Sequence, residues 1–566
     1  MFTRISRSGG RSYLQLVESF REGDKVKQRL VASLGRFDET KVKSLISSLE
    51  RSIGRVPDSA PSEVPAVSFS SALAYGDLYA LQCLWQELGL GAALKRCFRG
   101  SRRQFDAEAL IRTMVFNRLS DPRSKLGLLD WLEQVEMPGV SEVSHQQLLR
   151  TMDVLVDHMD EVELALTKLI RPLLDSSLSL VFYDLTTIRV HGEKELPEDI
   201  RQYGLNKETG GIARQFVLGV VQSADGIPLL HTVAPGNVSE AATLRPMLEH
   251  ALKRFDVARI VVVADRGLLS LDNVAQIRAL AAEKRRQIDF ILAVSARRYK
   301  AMPALMRGLE YTHGVAETVF ENERCVVAFD AKTAQRQGDR RRKEIEELTA
   351  FGQKLADKLD AADAAAQAAS DPKKAIQKGR KKASVKRYKQ ANDRAAYVRF
   401  AKELKDHKLT KYFTIDWHSA HFCFEQNEAA ILDAEALDGK LVLMTSLPAH
   451  MSDSAEIVSR YKALADIERG FRVLKSDIEI APMHHRLEIR IRAHALICFM
   501  ALLLHRLLRL RLKRAESHLS PSSALAQLRK IQRHAVKIGE VTHAGLSTIA
   551  PEQRSLFETL KFPLPT

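Results

Sequence analysis

Three acidic residues occupy positions where a carboxylate needs a partner. Asp184 and Asp265 each close an apolar run that predicts a buried strand, at 178–183 and 260–264. Glu468 lies in a stripe with alternating spacings of four and three residues, which predicts a helix with one face packed inward. The stripe consists of Ile457, Tyr461, Leu464, Glu468, Phe471, Lys475 and Ile478. Because an ionised carboxylate is costly to bury unless it is paired or bound to a metal, the three acids together predict a divalent-metal site.

Each acid taken singly has a simpler explanation. A lone aspartate at the end of a strand is more often a turn or cap residue. An ion pair with Lys475 or Arg472 would account for Glu468 alone. The metal hypothesis therefore depends on all three acids converging in the folded chain.

The segments around the two aspartates predict a mixed sheet. Strands joined by tight turns, one of them at Asp225-Gly226, are followed by helical crossovers to further strands. The predicted strands cover 178–184, 215–222, 227–233, 259–265 and 288–294, with helices at 241–253 and 271–284. In such a sheet the first and fourth strands can lie side by side and parallel. Asp184 and Asp265 would then meet at adjacent strand ends, where the sites of α/β proteins usually form.

Composition restricts the class of protein. A chain of 566 residues predicts roughly three or four structural units, and 45% apolar with 28% charged residues suits a soluble globular protein. The first residues contain no apolar block typical of a signal peptide. The longest unbroken apolar run, Ala495–Leu504, is too short to span a membrane. Five scattered cysteines indicate neither a disulfide framework nor a zinc site. We expect a cytoplasmic protein with no membrane partner.

Positive charge is concentrated in one stretch of the chain. The formal net charge is +16, and the segment from Lys373 to Lys411 holds fifteen Lys and Arg residues against three acidic ones. Such a block favours a polyanionic partner, with an affinity that falls as salt rises. A solvated helical surface that aids solubility explains the same charges equally well.

The spacing within the Glu468 helix resembles a known signature. Tyr461, Leu464, Glu468 and Lys475 occupy the positions of the Y-x2-R-x3-E-x6-K motif of bacterial transposases in the insertion-sequence-four superfamily. The arginine of that motif is Leu464 here. The DNA contact that this arginine makes in the family is therefore either absent or made by Arg469 or Arg472.

The resemblance extends over most of the chain. Asp184 in FYDLTT and Asp265 in VADRGLLS match the two aspartates of the DDE triad of these transposases. The sequence segments IERGFRVLKS and HHRLEIRIRAHALICFMALLL look closest to the branch named for insertion sequence sixteen-thirty-four. A tyrosine expected near the end of the motif is His484 here. His484 and His485 are expected to be structural or to face phosphate rather than to bind metal.

The resemblance implies a fold and a reaction. The expected fold is an α/β chain with a ribonuclease-H-like mixed-sheet core, a β-rich plus helical inserted subdomain, a small β hairpin unit and a helical domain in front. The expected reaction is metal-dependent hydrolysis at transposon ends followed by strand transfer into target DNA. Two Mg2+ or Mn2+ ions, about 4 Å apart, would be held by carboxylates. Asp184 would bridge both ions, Asp265 would hold one and Glu468 the other.

The same resemblance implies the partners. These are double-stranded DNA, as terminal inverted repeats and as target, and a second copy of the chain in a homodimer associated with the nucleoid. The residues expected to contact DNA are Tyr461, Arg469, Arg472 and Lys475. Trp417 is expected to be a core residue, although stacking on a flipped base is an alternative. Two rival functions remain at this stage: a ribonuclease-H-like nuclease without strand transfer, and an inactive descendant that binds DNA as a repressor.

We expect six segments along the chain. They are a β hairpin unit with a linker at 1–60, a helical domain at 61–174 that is either a plain bundle or DNA-binding, the two parts of the catalytic core at 175–295 and 449–515, the inserted subdomain with its basic helical excursion at 296–448, and a helical tail at 516–566.

Overall fold

A computed structural model describes most of the chain. The described residues are 2–8, 11–22, 25–52, 67–100, 105–140, 142–174, 180–192, 199–206, 210–255, 259–264, 271–294, 302–370, 393–419, 421–481, 483–538 and 541–566. Asp265 and most of the basic block, 371–392, lie outside them. The chain divides into two compact units, the first comprising Met1–Glu87, Arg112–Leu148 and Leu508–Thr566, and the second Leu88–Ile111 and Leu149–Leu507.

The N-terminal part of the first unit is a small antiparallel sheet followed by a helix. Its elements are β1 Phe2–Ser8, β2 Arg11–Glu22, β3 Lys25–Arg36 and α1 Glu39–Ser52. The predicted hairpin is confirmed by the antiparallel pairing of β2 with β3, and its turn at Gly23 and Asp24 lies outside the described residues. The strand β1 extends the sheet by pairing with β2.

A second sheet in the first unit joins distant parts of the sequence. The strand β4 (Val67–Ala74) pairs with β16 (Gln532–Ile538), and β16 pairs with β17 (Val541–Leu546). The prediction of a helical tail at 516–566 is therefore wrong in part. Helices α17 (Pro521–Leu528) and α18 (Pro551–Leu560) flank a hairpin there. Its strands are short and mix polar with apolar residues, so they lack the clear alternation that marks a half-buried strand.

The predicted helical region between residues 75 and 174 is helical. Its helices are α2 Gly76–Glu87, α3 Leu90–Cys97, α4 Ala107–Ser120, α5 Gly127–Leu132, α6 His145–Asp157 and α7 Met159–Ile170.

The second unit is built on a large mixed sheet, which has nine strands within the described part of the chain. The strands are β5 Leu180–Arg189, β6 Gln202–Leu205, β7 Ile212–Ser223, β8 Pro228–Pro235, β9 Arg259–Ala264, β10 Gln287–Ala293, β11 Val315–Phe320, β12 Glu323–Phe329 and β15 Lys440–Thr445. Their order is β11-β12-β15-β10-β9-β5-β7-β6, and β8 also pairs with β7. The predicted mixed α/β fold is confirmed.

The centre of this sheet is parallel, as the sequence predicted. The strand β9 lies between β5 and β10 and is parallel to both. Four of the six residues of β9, 260–263, are β-branched and almost fully buried, which suits a central strand covered on both faces. The first and fourth predicted strands are thus neighbours.

Helices cover this sheet on both faces. They are α8 Glu240–Arg254, α9 Leu271–Lys284, α10 Pro303–Arg307, α14 Ser454–Lys462, α15 Ala465–Ser476 and α16 Glu488–Arg514. Helix α8 packs against β8 and α9, whereas α15 packs against β5. Helix α16 is long and apolar enough to cross a membrane, but 94% of its most apolar window is buried, as in the core helix of a soluble protein.

The segment predicted as an insertion, 296–448, contributes strands to the main sheet and forms a separate apolar cluster. Its strands β11, β12 and β15 extend the main sheet, because β15 pairs with β10. Its remaining elements surround an apolar cluster that includes Phe400. They are α11 Ala331–Ser370, α12 Asp393–Asp406, β13 Phe413–Ile415, β14 Phe424–Gln426 and α13 Glu428–Glu435.

Trp417 is 54% exposed beside Tyr397, so the expectation of a core tryptophan is wrong. Its neighbours, Asp416, His418 and Ser419, are polar and give that stretch no apolar side to bury.

The burial of α16 generates a stability prediction. Replacing fully buried Leu496 by Ala should lower the free energy of unfolding by about 2 to 5 kcal/mol, because it removes apolar contacts and leaves a cavity. Leu164→Ala, at a site 42% exposed, is the control and should change it by about 0.5 kcal/mol or less. Urea unfolding measures both variants, and equal losses would contradict the packing described.

Candidate active site

Asp184 lies inside β5 rather than at its end. The prediction that the strand stops there is wrong, because β7 pairs with β5 as far as Arg189 and places Val220 opposite Asp184. Among the described residues, the pairing of β5 with β9 extends as far as Tyr183 opposite Ala264. The Asp184 side chain is half-buried, and its Oδ1 accepts a hydrogen bond of 2.7 Å from the Leu185 amide. Asp184 therefore stands beside the carboxyl end of β9.

Asp265 lies outside the described residues. The strand β9 ends at Ala264, the residue immediately before it. Its predicted role as a metal ligand stays a prediction.

The alternation of side chains along β5 places Asp184 on the face of the sheet that α15 covers. Gln222 of β7 is opposite Phe182, and Asp184, two residues after Phe182, points to the same side. Gln222 in turn reaches Gly470 of α15: a Cβ atom at position 470 would lie 2.6 Å from its Nε2 atom. Asp184 and the helix that carries Glu468 therefore share one face.

Tyr183 occupies the opposite face. Its hydroxyl donates a hydrogen bond of 3.0 Å to Thr243 Oγ1 on α8. Burial raises the pKa of the Tyr183 phenol to about 12, so it stays protonated at neutral pH. This contact fixes β5 against α8 from behind Asp184.

The Glu468 segment folds as two helices instead of one. Helix α14 begins at the N-cap Asp453, which accepts a hydrogen bond from the Glu456 amide. The amide of Ala463 still bonds four residues back, but that of Leu464 bonds three residues back, to Tyr461. This tightened turn separates α14 from α15 and changes the helical phase.

The observed burial corrects the prediction for Glu468. The apolar members of the stripe are buried: Ile457, Leu464, Phe471 and Ile478. Glu468 is exposed, so the inference that its carboxylate faces a core is wrong. An exposed carboxylate keeps its hydration, and no burial cost demands a partner for it. Glu468 is therefore a candidate metal ligand because it matches the motif, and not because it is buried.

Helix α15 separates an apolar face from a charged one. Gly470, Phe471 and Leu474 are buried. Glu468 and Arg472 are exposed and Lys475 is half-buried, and their spacings of four and three residues place the three on one side of the helix. Arg469 is also exposed, and half-buried Tyr461 belongs to α14. The structure thus groups Glu468 with Arg472 and Lys475, while Tyr461 stands across the turn.

Sequence inspection missed two residues at this site, Gly470 and Gln222. A glycine inside a helix costs about 1 kcal/mol relative to alanine, yet α15 carries one on its buried face. Gln222 is fully buried, and neither polar atom of its amide has a hydrogen-bond partner in the described part of the chain. Leaving such an amide unsatisfied costs about 1 to 3 kcal/mol. A glycine within an amphipathic pattern and a glutamine within an apolar strand are the signals that were available.

After α15 the chain returns to the end of β5. The His191 amide donates to Met483 O and the Met483 amide donates to Arg189 O. This pairing brings the rings of His191 and His484 into a stack with centroids 4.8 Å apart. His484 is exposed, as its predicted structural or phosphate-facing role allows.

The described donors suit a hard cation. Asp184 and Glu468 offer carboxylate oxygens, which Mg2+ and Mn2+ prefer, and neither histidine nor cysteine is needed. Among the described residues, no three His, Cys, Asp or Glu side chains are close enough to hold a metal ion. Asp265 is not among these residues, so the triad stays a prediction.

Comparison with known families identifies the chain. Residues 175–504, more than half of it, match the family model described as "Transposase DDE domain". The chain belongs to the DDE transposases. Residues 2–61 match the N-terminal domain of the IS1634 family of transposases, which confirms the branch inferred from the motifs. This DDE transposase is a DNA-cleaving and strand-transferring enzyme, and its reaction is metal-dependent.

Two solved structures show remote similarity to this transposase. One is the piggyBac transposase synaptic complex with hairpin DNA, at 8% identity and a TM-score of 0.37, covering 80% of this chain and 79% of that one. The other is the Drosophila P element transposase strand transfer complex, at 9% identity and a TM-score of 0.26, covering 74% of this chain and 98% of that one. A search of curated proteins finds no match.

The position of Tyr183 behind Asp184 generates a prediction. Tyr183→Phe should lower the free energy of unfolding by about 0.5 to 1.5 kcal/mol, because one buried hydrogen bond is lost. DNA cleavage should persist, since the phenol faces away from Asp184. Urea unfolding and a nicking assay measure the two effects, and loss of cleavage with normal stability would make Tyr183 part of the active site.

Proposed function

We propose that Asp184, Asp265 and Glu468 are the catalytic metal ligands of this transposase. The observation that carries the proposal is the shared face of Asp184 and α15, beside the strand end that Asp265 follows. Three segments far apart in sequence would supply these carboxylates, Glu468 from the border between the exposed side of α15 and the buried residues Leu464 and Phe471. The charge of these acids suits a divalent cation and repels DNA phosphate in its absence.

Two ions, Mg2+ or Mn2+, fit this donor set. When bound, such ions activate a water or a 3′-hydroxyl and stabilise the leaving oxygen of a phosphodiester. The role of the chain is to hold the carboxylates. Asp184 would contact both ions from a strand fixed on both edges, and Glu468 would contact one of them from α15. Asp265 would contact the other.

The proposed catalytic core is ribonuclease-H-like and formed from two parts of the chain, 175–295 and 449–515, with the inserted subdomain at 296–448. The N-terminal unit at 1–60, the helical domain at 61–174 and the tail at 516–566 would lie outside the core. The parallel arrangement of β5, β9 and β10, flanked by antiparallel strands, supports this proposal.

The charged side of α15 is the proposed DNA contact. Arg469, Arg472 and Lys475 present cations next to Glu468, and Tyr461 of α14 adds a hydroxyl across the turn. Phosphate contacts of this kind fix the register of the DNA without reading its sequence. They would hold the scissile phosphate near the carboxylates.

We propose that the substrates are the terminal inverted repeats of the element and a target duplex, bridged by a homodimer at the nucleoid. Hydrolysis at each end would free a 3′-hydroxyl, which then attacks the target. A plasmid assay that detects joined ends tests this sequence of reactions. Cleavage without joining would favour a nuclease, and binding without cleavage would favour a repressor.

Removal of any one carboxylate should abolish cleavage. We expect this of Asp184→Ala, Asp265→Ala and Glu468→Gln, with rates reduced by a factor of about 10³ or more, because each variant removes an oxygen ligand of the metal site. Binding to an end fragment, measured by gel shift without metal, should remain largely intact. A variant that retains cleavage would show that its residue lies outside the site.

Removal of one phosphate contact should act differently. Lys475→Ala should weaken end binding and reduce the slope of log affinity against log salt by about one, because one fewer counterion is released. Lys284→Ala, at the end of α9 in the helical layer formed by α8 and α9, is the matched control and should leave the slope unchanged. Equal slopes for both variants and the parent protein would place Lys475 away from DNA.

A further inference from the structure

The buried side of α15 approaches the sheet at one point without a side chain. Gly470 occupies that point. A Cβ atom added there would lie 2.6 Å from Gln222 Nε2 and 2.9 Å from a terminal nitrogen of Arg506. Ordinary van der Waals contact between such atoms needs about 3.5 Å or more. The helix therefore rests on the sheet at a depth that glycine alone permits.

The atoms that Gly470 meets are the ends of two long, buried side chains. Gln222 is fully buried and Arg506 is 3% exposed. Packing an extra methyl group against buried side chains forces them off their rotamers or shifts the backbone. The backbone that can shift here is that of α15, because its outer face is in solvent.

We propose that Gly470 and Gln222 are positioning residues that set the depth of α15 and thereby place the Glu468 carboxylate for metal binding. The inference rests on the proposed role of Glu468. Glu468 precedes Gly470 by two residues, so the two lie on nearly opposite sides of the helix. Lifting α15 to make room for a methyl group would carry Glu468 outward by roughly 1 Å, and shifts of that size cost about 10²-fold in rate.

A purely structural role for Gly470 would have a different consequence. It would change stability without changing metal affinity at a given fraction of folded protein. Glycine and alanine are both compatible with helical backbone angles, so the substitution tests the added volume rather than backbone strain. Because alanine favours the helix more than glycine does, the gain in propensity opposes the strain of packing.

Mn2+ binding to the full-length protein without DNA tests the proposal. The free Mn2+ signal in electron paramagnetic resonance is measured for the parent protein, Gly470→Ala, Gln222→Ala and the double variant. Gly470→Ala should weaken binding about tenfold or more, and Gln222→Ala, which removes the surface under the helix, about threefold. The double variant should recover to within about threefold of the parent protein, because the space left by the amide accommodates both the methyl group and the Arg506 guanidinium that it displaces.

Gly308→Ala is the matched control. An added Cβ at that position meets no atom of the described residues within 4 Å, so Mn2+ binding should not change. Circular dichroism establishes that each variant is folded before titration. If Gly470→Ala is unfolded, Gln222→Ala alone decides the question.

Two results would overturn the inference: normal Mn2+ binding by folded Gly470→Ala, or no recovery in a folded double variant. If Gly470→Ala is unfolded and cannot be titrated, normal Mn2+ binding by Gln222→Ala would overturn the inference instead. Glu468→Gln separates this failure from that of the proposed active site. If Glu468→Gln weakens Mn2+ binding and Gly470→Ala does not, only the positioning role fails. If Glu468→Gln also binds normally, the proposed site itself is wrong.

Discussion

The pairing of β5 with β9 is the interaction on which the rest of the second unit depends. The two strands are parallel and far apart in sequence, and Tyr183 lies opposite Ala264, the last described residue of β9. On its other edge β5 pairs with β7 through Asp184 as far as Arg189. A slip of one residue in this register would turn Asp184 to the side occupied by α8. The buried hydrogen bond from Tyr183 to Thr243 opposes such a slip.

The second constraint is how α15 packs on this strand. A helix packed through side chains of ordinary size would rest farther from the sheet. Gly470 removes that spacing at one point. The cost is a glycine within the helix and, at Gln222, an amide that has no hydrogen-bond partner among the described residues. Local features that lower stability often persist where a site requires them. The surrounding residues, Phe471, Leu474 and Ile478, supply the apolar contacts that offset this cost.

Much of this architecture was predictable from the sequence, and the failures have physical causes. Apolar runs and the Asp225-Gly226 turn predicted the order and parallel pairing of the central strands, because a buried strand has a strong local signal. The end of β5 was not predictable, since pairing with β7 rather than local composition extends it past Asp184. The break at Leu464 was also missed. Residue spacing alone does not distinguish one continuous helix from two joined by a tightened turn. Spacing also does not show how wide the buried face is: Glu468 is exposed although Leu464 and Phe471 are buried. For Asp184 and Glu468, the match to the family motif was a better guide than hydrophobic periodicity. A motif match depends on residue type and spacing, whereas periodicity predicts only burial.

The position of β15 beside β12 has an evolutionary consequence. After β12 the chain leaves the sheet at Phe329 and rejoins it at Lys440, which lies opposite Phe329, so the ends of this long excursion are held close together. Lengthening a loop whose ends are already fixed changes the entropy of the chain only slowly. The excursion can therefore gain, lose or exchange whole modules while the rest of the sheet keeps its shape. Transposons that diversify in host range or in target choice have, in this segment, a place to do so without rebuilding their catalytic machinery.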